Sequence, residues 1–217
     1  MIHGAVFDLD GTLVDNIRFH FAAFRALAER LGKVMDEATF QSFNGLKNED
    51  IFPRFLGRPL TPEEIGALSD EKESAYRTLY LPELAAHRGA PELLARLRAA
   101  GVKLAVASSA PPANRAMVLE GLGWIDRFDA VVASEGLRGK PAPDIFLAAA
   151  ERIGVAPADC LAFEDAANGV QAAAAAGMTV VGVTTNVPAA DLVSAGARFT
   201  IEDFATLPPE LAALLPV

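Results

Sequence analysis

Apolar residues in this chain fall into two patterns. Short continuous runs alternate with longer stretches in which apolar positions recur every three or four residues, the signature of buried parallel strands interleaved with helices. Strands are expected at Ile2–Phe7, Lys103–Ala107, Ala130–Ala133, Leu161–Phe163, Met178–Val183 and Phe199–Ile201. Helices are expected at Ala90–Ala100, Pro112–Leu122, Pro143–Ile153 and Ala166–Ala176, the alanine run at Ala172–Ala176 reading as a face packed closely on the sheet. One stretch breaks the rhythm. From Asn16 to Pro82 no strand pattern occurs, and Phe19, Ala22, Ala23, Ala26, Leu27 and Leu31 follow helical spacing. Further helices are expected at Glu37–Phe43, Lys47–Leu56 and Thr61–Tyr80, the last opened by a Thr cap and a proline at the first helical position. The expectation is an α/β core of residues 1–15 and 83–217, with a helical lid, 16–82, inserted after the first strand.

Composition narrows the class. At 217 residues, 52% hydrophobic and 22% charged, the chain is globular and long enough for a large core. No apolar run reaches the length of a membrane span, and one cysteine, Cys160, excludes an internal disulfide and a cysteine metal cluster. A cytoplasmic location is expected. The net charge of −9 argues against nucleic acid as a partner and requires any anionic ligand to meet local positive charge.

Polar residues gather where strands are expected to end. Asp8 and Asp10 follow Ala5-Val6-Phe7, and two carboxylates two apart in an extended segment point the same way. Gly11 allows a sharp exit. Oxygen-only ligands at such a place favour a hard cation, Mg²⁺ before Zn²⁺. Ser108-Ser109, Lys140 within Gly139-Lys140-Pro141, and Glu164-Asp165 lie just after other strands, so a parallel sheet brings all of them to one edge. Each also has a plain reading: a turn at Asp-Gly-Thr, a helix cap at Ser108 or Glu164-Asp165, a solvated loop lysine at Lys140.

In this combination the chain resembles the haloacid dehalogenase superfamily of phosphohydrolases, in the subgroup with a helical cap after the first strand. The matches are Asp8-Leu9-Asp10-Gly11-Thr12, Ser108, Gly139-Lys140-Pro141-Ala142-Pro143-Asp144, and Glu164-Asp165 followed by Asn168-Gly169. The resemblance spans essentially the whole chain and implies a Rossmann-like parallel sheet core with an inserted cap domain. It also implies roles. Asp8 is the nucleophile that becomes an aspartyl-phosphate, and Asp10 is the general acid–base. Ser108, Ser109 and Lys140 hold phosphoryl oxygens. Asp8, the Asp10 carbonyl and Asp165 bind Mg²⁺, with Glu164 supporting or ligating. Beside these implied roles, backbone N–H groups near Leu9 to Thr12 are expected to face the phosphate, as phosphate loops do.

Asp10 separates phosphate-ester chemistry from the superfamily's dehalogenases and phosphonatases, which lack an aspartate there. The expected activity is Mg²⁺-dependent hydrolysis of a small phosphate ester. No nucleic-acid, membrane or obligate protein partner is expected. The cap resembles that of β-phosphoglucomutase-like and phosphoglycolate-phosphatase-like enzymes. His20 matches a hinge histidine and Lys72 a cap lysine, while Gly45, Lys47 and Asn48 fall in a loop like the subgroup's specificity loop. A histidine packed under the lid and ordinary surface lysines are the plain alternatives. The mutases carry arginine where this chain has Asn48, and polar residues where it reads Ala110-Pro111-Pro112, so a phosphatase is favoured over a mutase. A non-catalytic phosphate-binding module would have lost Asp8, Asp10 or Lys140. A receiver or nucleotide binder on a similar sheet would lack Lys140 in its Gly-Lys-Pro context.

Overall fold

The computed structural model describes residues 2–43 and 45–215. Six strands, β1 (Gly4–Phe7), β2 (Lys103–Ser108), β3 (Ala130–Ala133), β4 (Cys160–Glu164), β5 (Thr179–Val183) and β6 (Phe199–Ile201), form one sheet in the order β3-β2-β1-β4-β5-β6. Every pairing is parallel, giving the doubly wound, Rossmann-like arrangement. The strand expected to start at Ile2 starts at Gly4, because its partners begin there: Gly4 pairs with Lys103 on one side and Cys160 on the other. Gly4 also has to be small, since a Cβ there would lie 2.7 Å from the Cys160 sulfur.

Alternation along β1 sends Ala5 and Phe7 into one core and Val6 into the other. On the first face α5 (Ala90–Ala99) and α6 (Pro112–Gly121) supply Leu93, Leu94, Leu97 and Val118. On the second, α7 (Asp144–Ile153) and α8 (Ala167–Ala175) supply Ile145, Phe146, Val170 and Ala173. Phe7 stacks on Phe163 across the β1–β4 pair, ring centroids 4.6 Å apart. Both rings are fully buried, each stabilising the fold by roughly 1.5–3 kcal/mol. This pair stiffens the two strands whose next residues carry the site.

Among the described residues four α-helices stand between β1 and α5: α1 (Ile17–Arg30), α2 (Glu37–Gln41), α3 (Asn48–Leu56) and α4 (Pro62–Tyr80). They have a core of their own, built on Phe24, Leu27, Phe40, Phe43, Ile51 and Phe52. At α4 the Thr61 hydroxyl accepts from Glu64 N–H while the Glu64 carboxylate accepts from Thr61 N–H, a complete capping box. Two short helices were not foreseen in the sequence, α9 (Ala189–Ala195) and α10 (Pro209–Ala212). No helix among the described residues is long and apolar enough to cross a membrane.

Candidate active site

The sheet order reverses at β1 and β4, and the site grows from that point. Phe7 pairs with Phe163, so Asp8, just past the end of β1, stands beside Glu164, the last residue of β4. Asp8 N–H remains tied to the Phe163 carbonyl at 2.9 Å, which fixes where its side chain starts. The chain then turns at Gly11, whose φ is +81°. The plain reading of this segment as a turn is thus correct as geometry, and the turn is what aims its carboxylates.

Lys140 is buried between two carboxylates, its ammonium donating to Asp8 Oδ1 at 2.6 Å and to Glu164 Oε1 at 2.5 Å. Burial works against the charge on Lys140, but the Asp8 and Glu164 carboxylates outweigh it and hold its pKa above the usual lysine value. Glu164 Oε2 accepts from Ala166 N–H at 2.9 Å, so both oxygens of Glu164 are engaged by the protein. Asp165 accepts from the Thr12 hydroxyl at 3.0 Å and from the Asn186 amide at 3.2 Å.

One oxygen from each of Asp8, Glu164 and Asp165 lies within 4.8 Å of the others. Burial, reinforced by neighbouring carboxylates, raises Asp8 well above the carboxylate range. The same two causes push Asp165 up to about 7. Three buried acids against one ammonium are an excess of negative charge that a divalent cation would relieve. Glycines enclose the cluster. A Cβ on Gly11 would lie 2.2 Å from Asp165 Oδ2, and one on Gly169 1.8 Å from Glu164 Oε1. The all-oxygen donor set and this cradle fit Mg²⁺.

Asp10 faces the same cavity in a different setting. Its Oδ1 accepts from the Asn16 amide at 2.5 Å and lies 3.7 Å from His20 Nε2. Burial raises its pKa, yet His20 and the Asn16 hydrogen bond together outweigh burial and hold the carboxyl below its usual range. Lys72 sits 2.8 Å from His20 Nδ1. An ammonium only donates, so Nδ1 accepts and a neutral ring carries its proton on Nε2, toward Asp10. The His20 ring stacks on Tyr76 at 3.8 Å, and the Tyr76 hydroxyl accepts from Asn16 at 2.6 Å.

The cavity encloses about 750 Å³, open water at its mouth included. Asp8, Asp10, Ser108, Ser109, Lys140, Glu164 and Asp165 line it from the sheet edge, and His20, Gly45, Asn48 and Lys72 from the helical insert. Lys47 is not in the lining. Its ammonium is held by the carbonyls of Ser134 and Leu137, each at 2.6 Å, so it clips the start of α3 to the loop ahead of Lys140. The helix-cap readings of Ser108 and Glu164-Asp165 give way, because neither α6 nor α8 has a side-chain cap. Ser108 Oγ accepts instead from Ala110 N–H at 3.1 Å, and Ser109 Oγ is buried without a hydrogen-bond partner among the described residues. Of the turn's amides, Gly11 N–H is spent on Asn16 and Val14 and Thr12 N–H on Leu9, so those two do not face a ligand.

Residues 2–177 match the model of the haloacid dehalogenase-like hydrolases. The chain belongs to that family. This hydrolase is 36% identical to β-phosphoglucomutase of Bacillus subtilis over 199 residues, 87% of each chain. It is 35% identical to fructose-1-phosphate phosphatase YqaB of Escherichia coli over 182 residues, 83% of this chain and 95% of that one. The crystal structure of β-phosphoglucomutase from Clostridium difficile superposes with a TM-score of 0.86 at 28% identity, covering 98% of this chain and 96% of that chain. Membership makes the chain an enzyme. Several side chains that support the hydrolase's site escaped the sequence reading: Asn16, Glu73, Tyr76, Asn114 and Asn186, while Thr12 entered it through the motif and its amide but not through its hydroxyl. Asn186 follows β5 on the same sheet edge, a position that the logic applied to Ser108 and Glu164 would have reached.

Proposed function

We propose that this chain is a Mg²⁺-dependent phosphomonoesterase acting on a small phosphorylated metabolite through an aspartyl-phosphate. The observation that carries the reading is the contrast between two aspartates in one cavity. Asp8 is paired with Lys140 beside two further acids, while Asp10 is held apart by Asn16 and His20. Asp8 and Asp165, with the Asp10 carbonyl and Glu164 in support, would hold Mg²⁺. Bound Mg²⁺ would supply charge neutralisation at the phosphoryl oxygens.

The residues divide the work as in-line transfer requires. Asp8 attacks phosphorus while Lys140 offsets the repulsion between a carboxylate and an anion. Ser108 and Ser109 orient the phosphoryl oxygens, together with the Leu9 and Asp10 amides that the turn leaves over. Asp10, an ionised carboxylate before substrate binds, takes up a solvent proton as the anionic phosphate enters beside it, gives that proton to the departing alkoxide, and takes one back from the water that hydrolyses the aspartyl-phosphate. The His20 N–H steers Asp10 in both steps. Residues 16–82 act as a cap that closes over the substrate and excludes water. The names of relatives, a fructose-1-phosphate phosphatase and a phosphorylated carbohydrates phosphatase, suggest sugar phosphates.

Phosphate release from a panel of phosphate esters with Mg²⁺ tests the proposal. Asp8→Asn should abolish turnover while circular dichroism stays native; a folded variant with wild-type rates refutes the mechanism. The similarity to β-phosphoglucomutases keeps a mutase as the second reading. Conversion of β-glucose 1-phosphate to glucose 6-phosphate with a bisphosphate primer, without free phosphate, would establish it instead.

A further inference from the structure

The half of the cavity supplied by the helical insert holds a charge that the phosphoryl chemistry leaves unused. Glu73, on α4, lines the cavity and is buried. Its Oε1 accepts from Lys72 at 2.9 Å and from the Asn48 amide at 2.9 Å, and its Oε2 accepts from the Asn114 amide at 2.7 Å. Asn114 is itself fixed by Arg77, 2.9 Å from its Oδ1. Burial raises the Glu73 pKa, but the Lys72 charge and the Asn48 hydrogen bond work against it and the carboxyl is brought down to about 2, so the carboxylate is ionised at any working pH.

The cations around the cavity are then all committed. Lys140 serves Asp8 and Glu164, Lys72 serves Glu73 and His20, and Lys47 is bound to two backbone carbonyls. A substrate whose phosphoryl group lies at Asp8 presents its leaving group to Asn48, Lys72 and Glu73. That wall is a balanced ion pair flanked by an amide. It offers N–H donors and carboxylate lone pairs to hydroxyls, and no uncompensated positive charge to a second anion.

We infer that Glu73 is a specificity-determining residue that selects monophosphates of neutral, polyhydroxylated alcohols and rejects substrates with a second phosphate or a carboxylate. This rests on the phosphatase reading above and assigns its substrate class. The selection works by withheld attraction: Glu73 already neutralises the Lys72 ammonium, so a second anion would shed its hydration without gaining a counter-charge, whereas hydroxyls keep their hydrogen bonds.

The test compares kcat/KM, at saturating Mg²⁺, for fructose 1-phosphate against fructose 1,6-bisphosphate and for glycerol 1-phosphate against 3-phosphoglycerate. Wild type should prefer the singly charged-group partner of each pair by about 30-fold or more. Glu73→Gln keeps the shape and frees the Lys72 charge, and should cut that preference by about tenfold. Asn48→Arg adds a cation to the same wall and should raise kcat/KM for the bisphosphate relative to the monophosphate, which decides the matter if Glu73→Gln does not fold. A wild type that favours the bisphosphate, or an unchanged preference in both folded variants, overturns the role of Glu73 while the phosphatase reading stands. A wild type that releases phosphate from none of the four esters, nor from any in the wider panel, overturns both.

Discussion

Gly11 shows how one residue sets the site. With φ at +81° the chain leaves β1 in a conformation that costs a residue with a Cβ roughly 1–2 kcal/mol. The absent side chain also makes room for Asp165, whose Oδ2 would stand 2.2 Å from a Cβ. Gly11→Ala should therefore combine backbone strain with displacement of a proposed Mg²⁺ ligand. Gly57 is the control, since its φ is +71° and nothing lies within 4 Å of its Cβ direction. Both alanine variants should melt earlier, but only Gly11→Ala should raise the Mg²⁺ concentration for half-maximal activity, by about tenfold or more. Equal Mg²⁺ requirements would mean that Gly11 serves the turn alone. Asp8, Asp10, Lys140 and Asp165 were legible in the sequence because strand alternation and a parallel sheet dictate where residues after a strand must point. Glu73 and Asn16 were not, because helical and loop residues acquire their direction from packing. Nothing in Lys72-Glu73 says which face of α4 turns inward until Tyr76 and Phe24 are in place.

Among the elements, most followed their period, the short strands β3 and β6 included, and two short helices did not. The core strands and α5 to α8 were readable to within a residue or two, since each buries a continuous apolar face. The helices α9 and α10, with 7 and 4 residues, show too few turns to display a period and were missed. How α3 docks was equally invisible, because it depends on Lys47 finding carbonyls 87 and 90 residues away. These bonds join the helical insert to the loop that carries Lys140, and Gly139 lies against Asp50 in the same place. If the insert closes as a cap, Lys47 favours the closed form. Lys47→Met keeps the stem and removes a charged donor, a loss of roughly 1.5–3 kcal/mol from the clip. Its KM should rise about tenfold or more, with kcat for bound substrate changed far less. A KM within twofold of wild type would show that the clip is not what holds the cap shut.

For the molecule as a whole, the central fact is how negative it is. The chain carries a net charge of −9, and its candidate site adds three buried acids around one ammonium. Such a site costs stability in the metal-free protein, because burial and repulsion from Glu164 act on Asp165 and push its pKa up to about 7. Functional sites commonly carry strain of this kind, and removing it stabilises at the expense of activity. Mg²⁺ binding should then stabilise through mass action, by about 2.7 kcal/mol at a hundredfold excess over Kd. Asp165→Asn tests both halves of the argument. The amide keeps the size of the side chain, so packing around Thr12 and Asn186 changes little, while one charge leaves the cluster. In EDTA this variant should melt above the wild type. Adding Mg²⁺ should raise the Tm of the wild type but not that of Asp165→Asn, which should also lose phosphatase activity. Were wild type and variant to melt together in EDTA and respond alike to Mg²⁺, the three acids would be a structural cluster satisfied by Lys140 alone, and the metal site would have to lie elsewhere.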